Sequence, residues 1–172
     1  WRVLALPYLG YPWTNELYNK FKLDEPWDSP NNLPLLDQMP DIFRSAGDGP
    51  STVVTRYQVI ADTSFPGSGK FFLNNVNSAG NRTRYSQVTD GLANTVLVVQ
   101  TGADKAVPWT KPDELPFNSS DPVATLGNVG NYFNAVFADG LVRALPVDIG
   151  NTKFSVLAQI NDGNYLDPAT ET

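Results

Sequence analysis

The sequence contains no cysteine and no histidine. This absence excludes thiol catalysis, Ser-His-Asp triads, imidazole acid–base chemistry and zinc sites built from Cys and His. It also excludes disulfide bonds, so cysteine usage does not identify the compartment in which the protein works. Any catalytic or metal-binding chemistry would depend on carboxylates, hydroxyls, amides and aromatic rings.

Basic residues and long apolar runs are also scarce. Lys and Arg number 12 against 18 Asp and Glu, which gives a net charge of −6. A nucleic-acid partner is not expected, because binding nucleic acid requires a basic face that replaces phosphate counterions. No run of about 18 apolar residues occurs, which is the length that a membrane-spanning helix needs. The sequence starts at Trp1 rather than at Met, and we expect that an upstream segment has been processed away or left out.

The remaining composition is that of a globular protein rich in proline. Hydrophobic residues make up 41% of the chain, and 14 of its 172 residues are proline. Scattered prolines favour strands, turns and irregular segments over a helical bundle. We predict a single domain, because domains commonly span about 100–200 residues. Its predicted parts are an aromatic and helical segment over 1–50, a sheet over 51–146, and a C-terminal helix and tail over 147–166.

Four segments predict a mainly antiparallel sheet with short flanking helices, an α+β fold. Residues 51–62 are rich in β-branched and aromatic side chains, and residues 94–101 form a nearly continuous apolar run. Residues 133–138 and 141–146 flank an Asp-Gly pair, which is typical of a two-residue hairpin turn of type I′.

Short helices are predicted on both sides of the sheet in sequence. Thr14 is a candidate N-cap, and Ser29 before a proline is a second start signal, for a helix that ends before Pro40. Residues 151–162 place apolar side chains on one helical face. The stretch 1–9 is too apolar to be fully exposed, so we expect it to pack on the sheet or on a neighbouring helix.

Acidic residues offer candidate sites for sugar hydrolysis. A glycosidase needs two carboxyl groups about 5–10 Å apart across a sugar, a geometry that sequence spacing does not determine. The acids that lie near tryptophans are Glu25, Asp28, Asp113 and Glu114.

Two loops offer oxygen ligands for calcium, the metal that prefers carboxylate and carbonyl oxygens. They are Gly47–Gly49 and Asn161–Asp167, and neither has EF-hand spacing, so we favour a solvated loop at both. Gly67–Lys70 reads GSGK, which resembles part of a P-loop. A P-loop needs a glycine where this chain has Ser64 and a Ser or Thr where it has Phe71, so we predict a turn there.

Three tryptophans are candidate ligand or anchor residues: Trp13, Trp27 and Trp109. Indole rings can stack on sugars, although anchoring a core or a loop is the more common role. Trp109 stands between Pro108 and Pro112, which stiffen the chain on either side. We predict that Trp109 anchors a long loop against the body of the protein.

Two Asp-Gly pairs stand beside apolar runs, Asp90-Gly91 and Asp139-Gly140. Asp favours turns because its side chain bonds to nearby backbone, and Gly accepts positive φ. We interpret Asp139 as a hairpin residue and Asp90 as a turn residue that bonds to local backbone before a buried strand. No catalytic residue is predicted.

Four long blocks of the sequence read WRVLALPYL, LYNKFKLDEPWDSPNNLPLLDQMPDIFR, VTDGLANTVLVVQTGADKAVPWTKPDELPF and FNAVFADGLVRALP. These blocks resemble a large family that is abundant in planctomycete bacteria. The family is defined as a domain of unknown function with a prepilin-type N-terminal cleavage and methylation signal. The resemblance extends from Trp1 to about Asp167, and DEPWDSP together with AVPWTKP is specific.

The resemblance implies a pilin-like or pseudopilin-like protein. Family members begin with a hydrophobic helix that anchors in the inner membrane, and a strand-rich head follows outside the cytoplasm. The chain is expected to be such a head without its helix, in the periplasm or at the cell surface. Many relatives carry a histidine ten positions before the last Asp-Gly pair, where this chain has Val129, so no role of that histidine transfers.

We therefore predict a non-enzymatic structural subunit that needs no cofactor and has other pilin-like subunits or assembly proteins as partners. Two alternatives stay open: a carbohydrate-binding module that uses the tryptophans, and a hydrolase that uses a carboxylate pair. Exposed tryptophans clustered in a groove would favour the first, and two facing acids in a deep pocket the second. An apolar flank near the N-terminus would favour the structural subunit.

Overall fold

The computed structural model describes residues 1–61, 85–112, 115–118, 120–164 and 166. The chain forms two compact units. Unit 1 comprises Trp1–Arg56 and Ala106–Asp113, and unit 2 comprises Tyr57–Lys105 and Glu114–Thr172. The predicted α+β class is confirmed, because short helices accompany two sheets. The candidates at 67–70, 113 and 114 lie outside the described residues.

Unit 1 begins with short helices. Helix α1 spans Arg2–Ala5 and helix α2 spans Pro12–Lys20. Short 3₁₀ helices follow each of them, at Leu6–Tyr8, Leu33–Gln38 and Asp41–Phe43. A single apolar cluster holds these elements together. Its buried members are Leu6, Leu17, Phe21, Leu35, Met39, Phe43 and Trp109.

Both predicted helix starts in this region are wrong in position. Helix α2 begins at Pro12, and Thr14 lies inside its first turn, where the hydroxyl donates to the carbonyl of Tyr11 at 2.7 Å. Proline is well suited to the first turn of a helix because its missing N–H has no partner there in any case. Ser29 lies in a turn before the 3₁₀ helix, and its hydroxyl accepts the N–H of Asn32 at 3.1 Å. The predicted end before Pro40 is confirmed.

The predicted strand 51–62 is divided at Arg56. Strand β1, Val54–Thr55, belongs to unit 1, and strand β2, Tyr57–Ala61, belongs to unit 2. Strand β4, Val107–Pro108, pairs antiparallel with β1, although the sequence predicts a loop there. The backbone N–H of Trp109 continues this pairing to the carbonyl of Val53 at 3.0 Å. Residues 106–113 therefore belong to unit 1 rather than to the sheet region in which they were predicted.

Unit 2 contains four further strands: β3 at Val96–Gln100, β5 at Leu115–Pro116, β6 at Tyr132–Phe137 and β7 at Val142–Pro146. Together with β2 they form a five-stranded sheet with the order β5-β2-β3-β6-β7. All neighbours are antiparallel except β5, which runs parallel to β2. The mainly antiparallel sheet is thus confirmed, and the parallel pair is an addition to it.

Helix α3, Asn151–Ala158, covers the apolar core of unit 2. The predicted helix is confirmed, but it ends before residues 159–162, which were predicted to belong to it. The buried core residues are Ile60, Val96, Val99, Leu115, Leu126, Phe133, Ala135, Phe137, Phe154, Leu157 and Ala158. The rings of Phe133 and Phe154 meet edge to face with centroids 5.3 Å apart. Further 3₁₀ turns lie at Tyr85–Gln87, Leu92–Asn94, Ala103–Lys105, Ala124–Leu126 and Val147–Ile149.

The β6–β7 hairpin is confirmed, but its predicted type I′ turn is wrong. The N–H of Gly140 donates to the carbonyl of Phe137 at 2.9 Å, and the N–H of Phe137 donates to the carbonyl of Leu141 at 2.9 Å. Gly140 has a φ of +84°, whereas Asp139 does not have a positive φ. A type I′ turn needs positive φ at both central residues, so this is a longer loop with one left-handed glycine.

Candidate functional site

A groove with a volume of about 600 Å³ lies on unit 1. Its lining residues are Leu9, Tyr11, Trp13, Thr14, Met39, Pro40, Asp41 and Ile42. One wall forms where Pro12 starts helix α2, because this places Tyr11 just before the helix and Trp13 in its first turn. The other wall forms where Pro40 separates two 3₁₀ helices.

The surface of the groove is aromatic and aliphatic. Tyr11, Trp13 and Ile42 are all exposed, and 47% of Trp13 is accessible to solvent. Two of the polar side chains in the walls have partners within unit 1: the Thr14 hydroxyl donates to a carbonyl, and the Asp41 carboxylate pairs with Arg44. The groove therefore presents rings and methyl groups more than free charges, which suits a partner with apolar or flat surfaces.

Several large apolar side chains between the start of the chain and Trp13 are exposed. We define the N-terminal flank as the exposed side chains of Leu4, Tyr8, Tyr11 and Trp13, of which Tyr8 is 87% accessible. Leu6, between them in sequence, is fully buried in the core of unit 1. The prediction that residues 1–9 pack on a neighbouring helix is confirmed, since Leu6 shares that core with Leu17 of α2.

Trp109 is a buried anchor, as the sequence predicts. It is 0% accessible, and its indole N–H donates to the carbonyl of Leu36 at 2.9 Å. Its ring stacks on Phe43 with centroids 5.8 Å apart and meets Phe21 edge to face at 5.9 Å. The side chain of Arg2 donates to the Trp109 carbonyl at 2.7 Å. Trp109 is thus unavailable to a ligand.

The other two tryptophans lie in different places. Trp27 is half-buried and does not line the groove, so only Trp13 of the three candidates does so. The sequence did not indicate that Tyr11 and Ile42 accompany Trp13. For Tyr11 a local signal exists, because it directly precedes Pro12, which starts helix α2. For Ile42 there is no local signal, because tertiary packing alone brings it to the groove.

Asp90 is a structural carboxylate with long-range partners. It is only 7% accessible, and its two oxygens accept the backbone N–H groups of Asp162 at 2.9 Å and Gly163 at 3.0 Å. The prediction of side-chain bonds to local backbone is wrong, because both partners lie more than 70 residues away. Gly91 has a φ of +94°, which explains the glycine of this pair.

Asp139 is held by its own hairpin. Its carboxylate accepts the N–H of Leu141 at 2.9 Å and pairs with the Arg143 guanidinium at 2.6 Å. The hydrogen bond from Arg143, followed by the one from Leu141, lowers the pKa of Asp139 below its ordinary value. The turn interpretation accounts for Asp139 and Gly140, and neither faces the groove.

The described acids proposed for hydrolysis or calcium are not gathered into one site. Both Glu25 oxygens accept the amide of Asn31, at 2.8 and 3.0 Å, and Asp28 is exposed. Asp48, in the Gly47–Gly49 loop, pairs with Arg56. Within the described ranges, no group of three or more acidic side chains is placed to hold a metal ion. Asp167 of the other calcium candidate lies outside those ranges.

Comparison of the chain with protein-family models, curated proteins and solved structures finds no match. The resemblance to the family with a prepilin-type signal therefore stays a prediction. Among the residues that the structure describes, no helix has the length and apolar character needed to cross a membrane.

Proposed function

We propose that this protein is a non-enzymatic, extracytoplasmic structural subunit or accessory of a surface or secretion-type assembly. The N-terminal flank and the adjoining groove are its proposed contact surface. The observation that carries the proposal is the exposure of four large apolar side chains within residues 4–13, two of which line the groove. Clustered exposed apolar residues mark interaction sites more often than scattered ones do.

The chemistry of the flank supports a protein partner. Three of its four members are Tyr or Trp, residue types that are enriched at protein interfaces because they combine a large apolar area with a polar tip. The flank also lies beside the first helix of the chain. In a pilin-like protein, this is the end of the head from which a membrane-anchoring helix would extend.

The resemblance supports the proposed location and the proposed partners. It implies an upstream hydrophobic helix, anchorage in the inner membrane and packing against other pilin-like subunits. We propose no catalytic role for the two Asp-Gly carboxylates, because Asp90 is bonded to backbone amides and Asp139 to its hairpin.

A carbohydrate-binding module is the second candidate function. Tyr11 and Trp13 in the same groove favour it, since aromatic rings form stacking surfaces for sugars. The burial of Trp109 and the position of Trp27 outside the groove count against it. The structural subunit is therefore the better-supported proposal.

The test is the fractionation of the full-length gene product, including any upstream sequence, in its native host. We expect recovery in the inner membrane or in a filament, and loss of co-assembly in the variants Tyr8→Ser and Trp13→Ser. Tyr85→Ser is the matched control, because this exposed tyrosine lies in unit 2, outside the flank.

Recovery of the full-length protein in the cytosol would contradict the proposal, as would normal assembly of both flank variants. Binding to immobilised polysaccharide that is lost in Trp13→Ala, with assembly unchanged, would establish the carbohydrate-binding alternative.

A further inference from the structure

Strand β7 ends the five-stranded sheet, and only one of its two sides is paired among the described residues. Strand β7 pairs with β6 from Tyr132↔Pro146 to Val136↔Val142. Within the described part of the chain, no strand pairs with its other side. An open strand edge presents backbone donors and acceptors, and proteins usually protect it with charge, proline or a covering element.

Alternation along β7 determines which backbone groups face outward. The carbonyl of Leu141 accepts the N–H of Phe137, and the N–H of Val147 donates to the carbonyl of Asn131. The backbone groups of Leu141 and Val147 therefore point toward β6. Successive residues of a strand direct their backbone groups to opposite sides. The backbone groups that point away from β6 are therefore those of Val142, Ala144 and Pro146. Pro146 has no N–H. The outward donors of the strand are the N–H groups of Val142 and Ala144.

The side chains beside this edge give it little protection. Leu141 and Val142 are 59% and 65% accessible. The one charged side chain of β7, Arg143, is turned back on its own hairpin: it pairs with Asp139 and lies 4.2 Å from the centre of the Phe137 ring. In a chain of net charge −6, this ion pair leaves the edge locally neutral. Within β7 itself, Val142–Pro146, two copies can therefore approach each other without bringing unpaired charges of the strand together.

We propose that β7 pairs antiparallel with β7 of a second copy of this chain, about a two-fold axis at Ala144. The alternating donors and acceptors of the edge match those of another extended backbone. In this register Ala144 faces Ala144 of the second copy, and Val142 donates to the carbonyl of Pro146 in the second copy. Both outward N–H groups then have an acceptor in the second copy. The carbonyl of Val142 has no donor opposite it, because Pro146 lacks an N–H.

A neighbouring register is disfavoured by charge. A two-fold axis at Arg143 would also pair outward backbone groups, because it sets Val142 opposite Ala144 of the second copy. It would, however, place the two Arg143 side chains directly opposite each other, and like charges in that position destabilise a strand pair. The register at Ala144 instead sets Arg143 opposite Leu145 of the second copy. The two five-stranded sheets then form one continuous sheet across the dimer. This contact lies in unit 2 and does not depend on the flank proposed above.

The test is sedimentation of the whole protein over a concentration series. We expect a monomer–dimer equilibrium that Ala144→Pro weakens at least tenfold, because proline removes an outward N–H that β6 does not use. Ala144→Ser keeps that N–H and should dimerise like the wild type. Val142→Lys, which adds charge at the edge without touching the backbone, is a second disrupting variant that does not depend on how well a proline is accommodated.

Amide exchange supplies the second measurement. We expect the N–H groups of Val142 and Ala144 to be protected in proportion to dimer formation. A wild type that stays monomeric at its highest soluble concentration would overturn the proposal, as would a dimer that survives both Ala144→Pro and Val142→Lys. Protection of these amides that does not vary with concentration would also overturn it, because the edge would then be covered within one chain. Trp13→Ser should leave the dimer unchanged, which separates this test from that of the flank.

Discussion

The carboxylate of Asp90 accepts a hydrogen bond from the backbone N–H of Gly163, 73 residues further along the chain, at 3.0 Å. Its other oxygen accepts the N–H of Asp162. The carbonyl of Ile160 accepts the N–H of Thr89 at 2.8 Å, so the two segments are linked in both directions. A single buried acid thus fixes the chain that follows helix α3.

Replacing Asp90 with Ala should release this segment. Hydrogen bonds to a charged group contribute about 1.5–3 kcal/mol each, and nearby water can replace part of that contribution, so we expect a loss of about 1–3 kcal/mol in the free energy of unfolding. Amide exchange at Asp162 and Gly163 should increase well before global unfolding. Asp148→Ala, which removes an exposed acid from the same unit, is the control. Unchanged exchange at both amides would show that the segment is held by its apolar contacts and by the hydrogen bond from Thr89 to Ile160, without the Asp90 carboxylate.

Replacing Trp109 with Ala should destabilise unit 1 by about 3–5 kcal/mol, the range for truncating a large buried ring. Trp109→Phe keeps an aromatic ring next to Phe43 but leaves the Leu36 carbonyl without its indole donor. It should therefore cost less than the alanine variant. Trp13→Ala, at the exposed tryptophan, should change the free energy of unfolding little. Chemical denaturation of the three variants measures the series, and equal losses at both tryptophans would contradict the anchor role.

The elements that the sequence predicts well are those specified by nearby residues. The β6–β7 hairpin follows from alternating apolar residues around one Asp-Gly pair, and helix α3 follows from its apolar face. The burial of Trp109 also has a local signal. Two prolines stiffen the chain on either side of this large apolar ring, and exposing such a ring to water is costly.

The features that the sequence does not predict depend on residues far apart in the chain. The division of the strand at Arg56 depends on β4, which pairs with β1 from more than 50 residues away. The Asp90 carboxylate finds its donors in the C-terminal segment, and the groove combines the start of α2 with residues 39–42. The pattern of apolar residues within a short stretch of sequence does not indicate such long-range contacts.

Gly140 gives a direct test of the revised turn. Its φ of +84° is strained for any residue with a side chain, whereas an added Cβ would meet no atom within 4 Å. Gly140→Val should therefore destabilise the protein by about 1–3 kcal/mol through backbone strain alone. Gly140→Asn should cost less, because Asn tolerates the left-handed region better. Thermal melts that rank the two variants the other way would contradict this assignment.

The ion pair of Asp139 and Arg143 predicts a pH dependence. The hydrogen bond from Arg143 is the main cause that lowers the pKa of Asp139 below its ordinary value of 3.8. The carboxylate therefore stabilises the folded state at neutral pH, and this contribution is lost as the pH falls below 3.8 and through the lowered pKa of the folded state.

Asp139→Asn should accordingly be slightly less stable than the wild type at pH 7, because Asn keeps an acceptor for the N–H of Leu141 but loses the charge that pairs with Arg143. The difference between the two proteins should shrink as the pH falls below about 4 and should vanish once Asp139 is protonated in the folded state. For Arg143→Gln the difference should also shrink as Asp139 is protonated, but a part that comes from the lost contact with the Phe137 ring should remain at low pH. The measurement is urea denaturation of the three proteins across this pH range at low salt, where exposed ion pairs are least screened. A stability difference that stays constant down to the lowest pH would mean that the charge of Asp139 contributes nothing to folding, and that the turn depends only on the hydrogen bond to Leu141 and on Gly140.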